Sequence, residues 1–254
     1  MNAIVLLHAF PLDHRMWDGV CDEIAKSGWQ VFAPDLRGCG NAADWVDEDA
    51  PTLRTLAEDV LGILDKFGIT RVVAGGCSLG GYVVMELMRI APERIAGAIF
   101  IDTKASADDA VQVANRLRVA QQVQDAQSTD AFWRAMLPNV LGKTTHENSP
   151  ELVEYTKFLM QDSRVNGVAN LQIAMSRRND SHETIANFSG PILSIRGSED
   201  LIASADDHLN IVNAAQDAIH VEIAECGHLA PIEKADETAI AIVDFLQRIS
   251  SPSC

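Results

Sequence analysis

Six short apolar runs recur along the chain: Ala3–Leu7, Gln30–Ala33, Arg71–Ala74, Gly97–Ile101, Pro191–Ile195 and Ala218–Ile223. Each has strand length, is rich in Val or Ile, and stops at turn residues, which is how a strand buried on both faces reads. Amphipathic patterns lie between them. Leu53, Leu56, Val60, Ile63, Leu64 and Phe67 fall on one face of a helix that Gly68 ends. Gly81–Ile90 and Glu233–Arg248 read as further helices. This alternation predicts the α/β class: a mostly parallel sheet with right-handed crossovers, flanked by helices.

One region breaks the rhythm. Between Lys104 and Asn187 the patterns are helical only: Ala110–Gln124, Thr129–Leu137, Glu151–Met160 and Val165–Arg177. The chain is therefore divided into a core domain, residues 1–103 and 188–254, and a helical cap inserted between the fourth and fifth strands, residues 104–187. Phe132, Trp133, Met136, Leu137, Phe158, Leu159, Met160 and Met175 sit in the cap at helical spacing. Most are assigned to the cap's own core, with some facing a modest apolar pocket. The tail Ser250–Cys254 is expected to fray.

Composition narrows the partners. A chain of 254 residues with 47% apolar content suits one α/β domain with an insertion. The net charge of −16 argues against nucleic acid and against anionic membrane surfaces. The five cysteines, Cys21, Cys39, Cys77, Cys226 and Cys254, form no CxxC pair, so neither a disulfide framework nor a zinc site is expected. The start, MNAIVLLHAF, lacks a basic signal-peptide region, and no run has transmembrane length. A cytoplasmic protein acting on a small molecule is the expectation.

The chemistry concentrates in Gly76-Cys77-Ser78-Leu79-Gly80. A strand precedes it and a helix follows, the context of a nucleophile elbow. The sharp turn demands small neighbours, and the helix aims its N-terminal dipole at developing negative charge. A serine hydroxyl needs a base. His228 follows the last strand by the loop Ala224–Gly227, where Gly227 permits a turn back over the sheet. The imidazole needs an orienting carboxylate, and Asp200, after the fifth strand, completes the order Ser, Asp, His. Glu199 is a neighbouring rival. Asp102 is a second rival, or the cap of the segment that follows it.

An acyl-transfer site also needs two backbone donors for the oxyanion. Leu79 N–H, next after the serine, is one. The loop after the first strand supplies the other if the first and third strands are neighbours, and Phe10 N–H is preferred because Pro11 has none to give. His8 is read as holding this loop in shape, and Asp35 as a structural pair or turn with Arg37 and Gly38. Arg164, Arg177 and Arg178 offer a substrate carboxylate a partner, but solvation or pairing with acids is the preferred reading.

HAFPLDHRMW (His8–Trp17), PDLRGCGN (Pro34–Asn41), GGCSLGG (Gly75–Gly81) and CGHLAP (Cys226–Pro231), with GSED at Gly197–Asp200, resemble the α/β-hydrolase superfamily and its small serine esterases and lactonases. The resemblance spans almost all of the chain outside the insertion. It implies a helical cap, oxyanion donors at Phe10 and Leu79, and no metal or organic cofactor. Two features depart from the family: His8-Ala9 replaces the usual His-Gly, and no β-hairpin precedes the first strand. Six parallel strands in the order 2-1-3-4-5-6 are therefore expected. Serine at the elbow separates the chain from family members that use aspartate there.

The leading functional expectation is hydrolysis of a small to medium carboxylic ester through an acyl-enzyme. Lactone or carbon–carbon bond hydrolysis, and acyl transfer or perhydrolysis, would use the same triad. A non-catalytic ligand-binding module on the same fold is the reading from a different class.

Overall fold

The computed structural model describes residues 2–45 and 51–250. The tail beyond residue 250 lies outside them. The strands are β1 (Ala3–Leu7), β2 (Gln30–Phe32), β3 (Val72–Cys77), β4 (Ile95–Ile101), β5 (Ile192–Gly197) and β6 (Ala218–Ile223). They form one parallel sheet in the expected order, 2-1-3-4-5-6. β1 lies inside the sheet, with Leu7 opposite Gly76 of β3, so the loop after β1 adjoins the turn that follows β3.

Strand side chains alternate between two apolar layers, as the two-residue period of a strand requires. Ala3, Val5, Leu7, Ala74 and Phe100 join the layer covered by α2 (Leu53–Lys66) and α3 (Leu79–Ile90). Ile4, Leu6, Val73, Ile99 and Ile101 join the layer covered by α1 (Asp18–Lys26) and by the last helix, α12 (Ala235–Ser250). Trp17, Phe100 and Phe245 are among the largest fully buried side chains, and each such burial contributes roughly 1.5–3 kcal/mol.

The segment between β4 and β5 holds α4 (Ala110–Ala126), α5 (Asp130–Val140), α6 (Lys143–Asn148), α7 (Pro150–Gln161), α8 (Val165–Ser176) and α9 (His182–Ala186). Its buried aromatic and Met side chains are continuous with the two core layers rather than forming a separate cluster. Trp133, Leu159 and Met160 bury against the α12 layer, and Met175 and Leu171 against the α3 layer. Phe158 is half exposed beneath the Arg15 guanidinium. Phe67, expected on the buried face of α2, is 62% exposed because it is the helix's C-cap; its ring meets Phe32 at 5.1 Å. Between β5 and β6 lies α10 (Ala205–Ala214), and α11 (Ala230–Glu233) precedes α12.

Candidate active site

β3 passes into α3 through one residue, Ser78, at φ 51° and ψ −111°. This is a strained conformation for a residue with a side chain. The chain on either side of it is closely packed. A Cβ on Gly76 would overlap the Gly80 backbone, and one on Gly80 would overlap the Leu7 carbonyl. Ser78 N–H donates to Ile101 O at 2.9 Å, and Ser78 O accepts the Thr103 hydroxyl at 2.8 Å.

Three sequence-predicted side chains meet here in a line. His228 Nε2 lies 2.8 Å from Ser78 Oγ, and His228 Nδ1 lies 2.8 Å from Asp200 Oδ2. The second carboxylate oxygen of Asp200 accepts Ile202 N–H at 2.7 Å and Ala203 N–H at 3.1 Å. Burial raises the pKa of Asp200, but the His228 charge and these bonds outweigh it and hold the carboxyl below its ordinary value. Burial likewise lowers that of His228, but the Asp200 charge and hydrogen bond, with the Asp102 and Glu233 charges, together outweigh it, so the imidazole sits above its ordinary value. Glu199, the rival acid, points elsewhere: it accepts Thr144 N–H at 2.8 Å and the Thr144 hydroxyl at 2.6 Å.

Leu79 is the first residue of α3, so its N–H has no acceptor within the helix. Phe10 lies in the loop after β1, and its ring packs against Phe132 of α5 at 5.4 Å. His8 is wholly buried, and burial holds its pKa below the ordinary value. Its neutral ring bridges two loops: Nδ1–H donates to Ala9 O at 3.0 Å and Nε2 accepts Leu36 N–H at 2.9 Å. Asp35 does not pair with Arg37, whose guanidinium binds Asp59 at 2.7 Å; it accepts His14 N–H and Asn41 N–H, both at 2.8 Å.

Two buried carboxylates that sequence reasoning underused support the site. Asp102, neither the orienting acid nor a helix cap, has φ 46°. It accepts Gly197 N–H at 2.8 Å and Ala230 N–H at 3.1 Å, tying the loop that carries Asp200 to the loop that carries His228. Burial, and then the Asp200 charge, raise its pKa to about 7. Glu233 accepts Gly227 N–H at 3.0 Å, Leu229 N–H at 3.2 Å and Gly142 N–H at 2.7 Å. It thereby fixes both neighbours of His228 to the turn between α5 and α6. Gly227 is needed for this approach, since a Cβ there would overlap Gly142 N; the left-handed residue of the loop is Glu225, at φ 54°.

Asp13, His14 and Asp35 bring potential metal-ligand atoms within 4.8 Å of one another. They already satisfy other partners: the Arg15 guanidinium lies 2.6 Å from Asp13, and His14 Nδ1 lies 2.7 Å from Asp35.

Residues 2–235 match the profile of the alpha/beta hydrolase fold. The structure superposes on a thermophilic esterase from Thermogutta terrifontis with a TM-score of 0.93 and 29% identity, covering 99% of this chain and 91% of that one. It superposes on the enol-lactonase from Burkholderia xenovorans LB400 with a TM-score of 0.87 and 26% identity, over 97% and 91%. In sequence it is 26% identical to the AB hydrolase superfamily protein YisY of Bacillus subtilis, over 95% of this chain and 90% of that one. With the fold, the sheet order and the profile in agreement, the chain belongs to the alpha/beta hydrolase family and is a hydrolase.

Proposed function

We propose that the protein hydrolyses a small to medium carboxylic ester through an acyl-enzyme on Ser78. The observation that carries this reading is the unbroken line from Ser78 Oγ through His228 to Asp200, with 2.8 Å at each link. Ser78 Oγ attacks the carbonyl carbon while His228 Nε2 takes its proton. Asp200 holds the Nδ1–H tautomer and stabilises the imidazolium. The carbonyl oxygen gains charge and is met by the N–H groups of Phe10 and Leu79; losing one such donor costs roughly 3 kcal/mol of barrier stabilisation. The tetrahedral adduct expels the alcohol, which leaves with the proton from His228. Water, deprotonated by His228, then attacks the acyl carbon and releases the acid and Ser78. No step calls for a metal or organic cofactor.

The segment 104–187 serves in this reading as the cap over the reacting carbon, with Phe132 beside the Phe10 loop. The likeness to the enol-lactonase favours a second substrate class, a lactone opened by the same steps. Turnover of 4-nitrophenyl esters of graded acyl length, beside that of Ser78→Ala, tests the proposal. Hydrolysis by the parent chain and its loss in the variant are expected. Activity on a lactone panel alone would select the second class. Equal rates for parent and variant would remove Ser78 from the chemistry.

A further inference from the structure

A cavity of about 310 Å³ opens beside α3. Tyr82, Met85, Glu86 and Arg89 of α3 form one wall, and the start of α2, the loop between β4 and α4 and the α8–α9 loop form the rest. Neither Ser78, Asp200 and His228 nor Phe10 and Leu79 line it.

Its charge runs against the chain. The whole protein carries −16, yet the described residues lining this cavity bring Arg54, Arg89, Lys104, Arg177 and Arg178 against one carboxylate, Glu86. Among the described residues, partners from outside the lining do not remove the surplus. Arg54 binds Glu58 at 2.9 Å, and Arg89 takes Glu86. Asp108 alone serves Arg178 at 2.7 Å, Arg116, and Lys104 at 3.8 Å. Arg177 has no carboxylate among the described residues and donates only to Pro51 O, at 3.3 Å. Arg178 is 8% exposed, lies over the Tyr82 ring at 4.4 Å, and keeps a buried Nε without a partner among the described residues.

Such crowding is unfavourable without a counter-charge. Like charges repel more strongly where water is scarce. Burial, and then the neighbouring Arg178 guanidinium, hold the Lys104 ammonium below its ordinary value. A bound anion would reverse the repulsion, and guanidinium pairs suit the planar or tetrahedral oxygens of carboxylate and phosphate.

We infer that this cavity is an anion-binding site separate from the reacting serine, which takes a compact dianion, a dicarboxylate or a phosphate group, between Lys104, Arg177 and Arg178. The site is independent of what Ser78 does.

Calorimetric titration of the intact protein at constant ionic strength, with inorganic phosphate, with succinate and with chloride as control, tests it. Saturable binding of at least one dianion is expected, unchanged in Ser78→Ala. Tighter phosphate would assign a phosphate group, and tighter succinate a dicarboxylate. Binding should weaken at least tenfold, about 1.4 kcal/mol, in Lys104→Met, and return in Lys104→Arg. Arg177→Gln, at an exposed position, provides the same test should Lys104→Met fail to fold. No saturable binding, binding unchanged in Arg177→Gln, or binding lost in Ser78→Ala would overturn the inference.

Discussion

The Thr103 hydroxyl donates to the backbone carbonyl of Ser78 at 2.8 Å. This bond crosses from the end of β4 to the strained turn after β3 and fixes the peptide whose nitrogen, that of Leu79, is the proposed oxyanion donor. The same carbonyl accepts Gly81 N–H at 3.0 Å and Tyr82 N–H at 3.3 Å, so it keeps two partners if the hydroxyl is removed. Thr103→Val is therefore expected to fold, with a loss of about 0.5–1.5 kcal/mol in chemical denaturation. Its kcat should fall more than its KM rises, because the donor acts chiefly on the charged adduct. A change confined to KM would contradict this placement.

Asp102 joins the loops of Asp200 and His228 through two N–H groups, and both its oxygens are acceptors. Asp102→Asn puts an amide NH2 against one of those N–H groups. A buried, unmatched donor pair costs about 1–3 kcal/mol. A stability loss of that size is expected in urea titration, with at least a tenfold lower kcat as the two loops shift. Parent-like values for both would show that the clamp is dispensable.

The acid limb of kcat/KM reports the free imidazole of the base. In the proposed mechanism only neutral His228 accepts the Ser78 proton, so the rate is expected to fall as pH falls through its pKa. Burial lowers that pKa, but the Asp200 charge and hydrogen bond, joined by the Asp102 and Glu233 charges, together carry it above the ordinary 6.5. The limb should have its midpoint above 6.5. Asp200→Asn removes the charge, so the midpoint should move down while the rate drops on the order of 10⁴-fold. A limb unmoved by this substitution would separate Asp200 from His228 in function.

His208 of α10 is wholly buried: Nε2 accepts Thr103 N–H at 3.3 Å and Nδ1 pairs with Ser194 Oγ at 2.8 Å. Burial, with a smaller push from His220, holds its pKa down to about 3. The unfolded chain takes up this proton near 6.5 and the folded chain only near 3. The unfolded state binds more protons in that window, so stability falls as pH falls through it, by up to about 1.4 kcal/mol per unit from this group. Unfolding free energies measured across the window should lose part of that slope in His208→Gln. Parallel slopes for parent and variant would exclude the histidine as the cause.

The sheet order and the Ser78, His228, Asp200 alignment were legible because buried strands write themselves as apolar runs and each of those residues follows one. β3 extends from Val72 to Cys77, beyond the run that ended at Ala74, because Gly75 and Gly76 carry no side chain to signal a strand. α6 and α9 have only six and five residues, too few for a helical period to show. Asp102 and Glu233 gave no sign of their roles because their partners, Gly197, Ala230 and Gly142, are brought to them only by the fold. The cationic cavity was hidden for the same reason: Arg54, Lys104 and Arg177 are far apart in the chain, and α3 alone brings a wall of it together.

The nucleophilic role of Ser78 is tested most directly by reaction with a 4-nitrophenyl alkylphosphonate. Release of one 4-nitrophenolate per chain, with the phosphonyl group found on Ser78 by peptide mass spectrometry and absent from His228→Ala after the same exposure, is the predicted result. No release, or an adduct on another residue, would contradict the account.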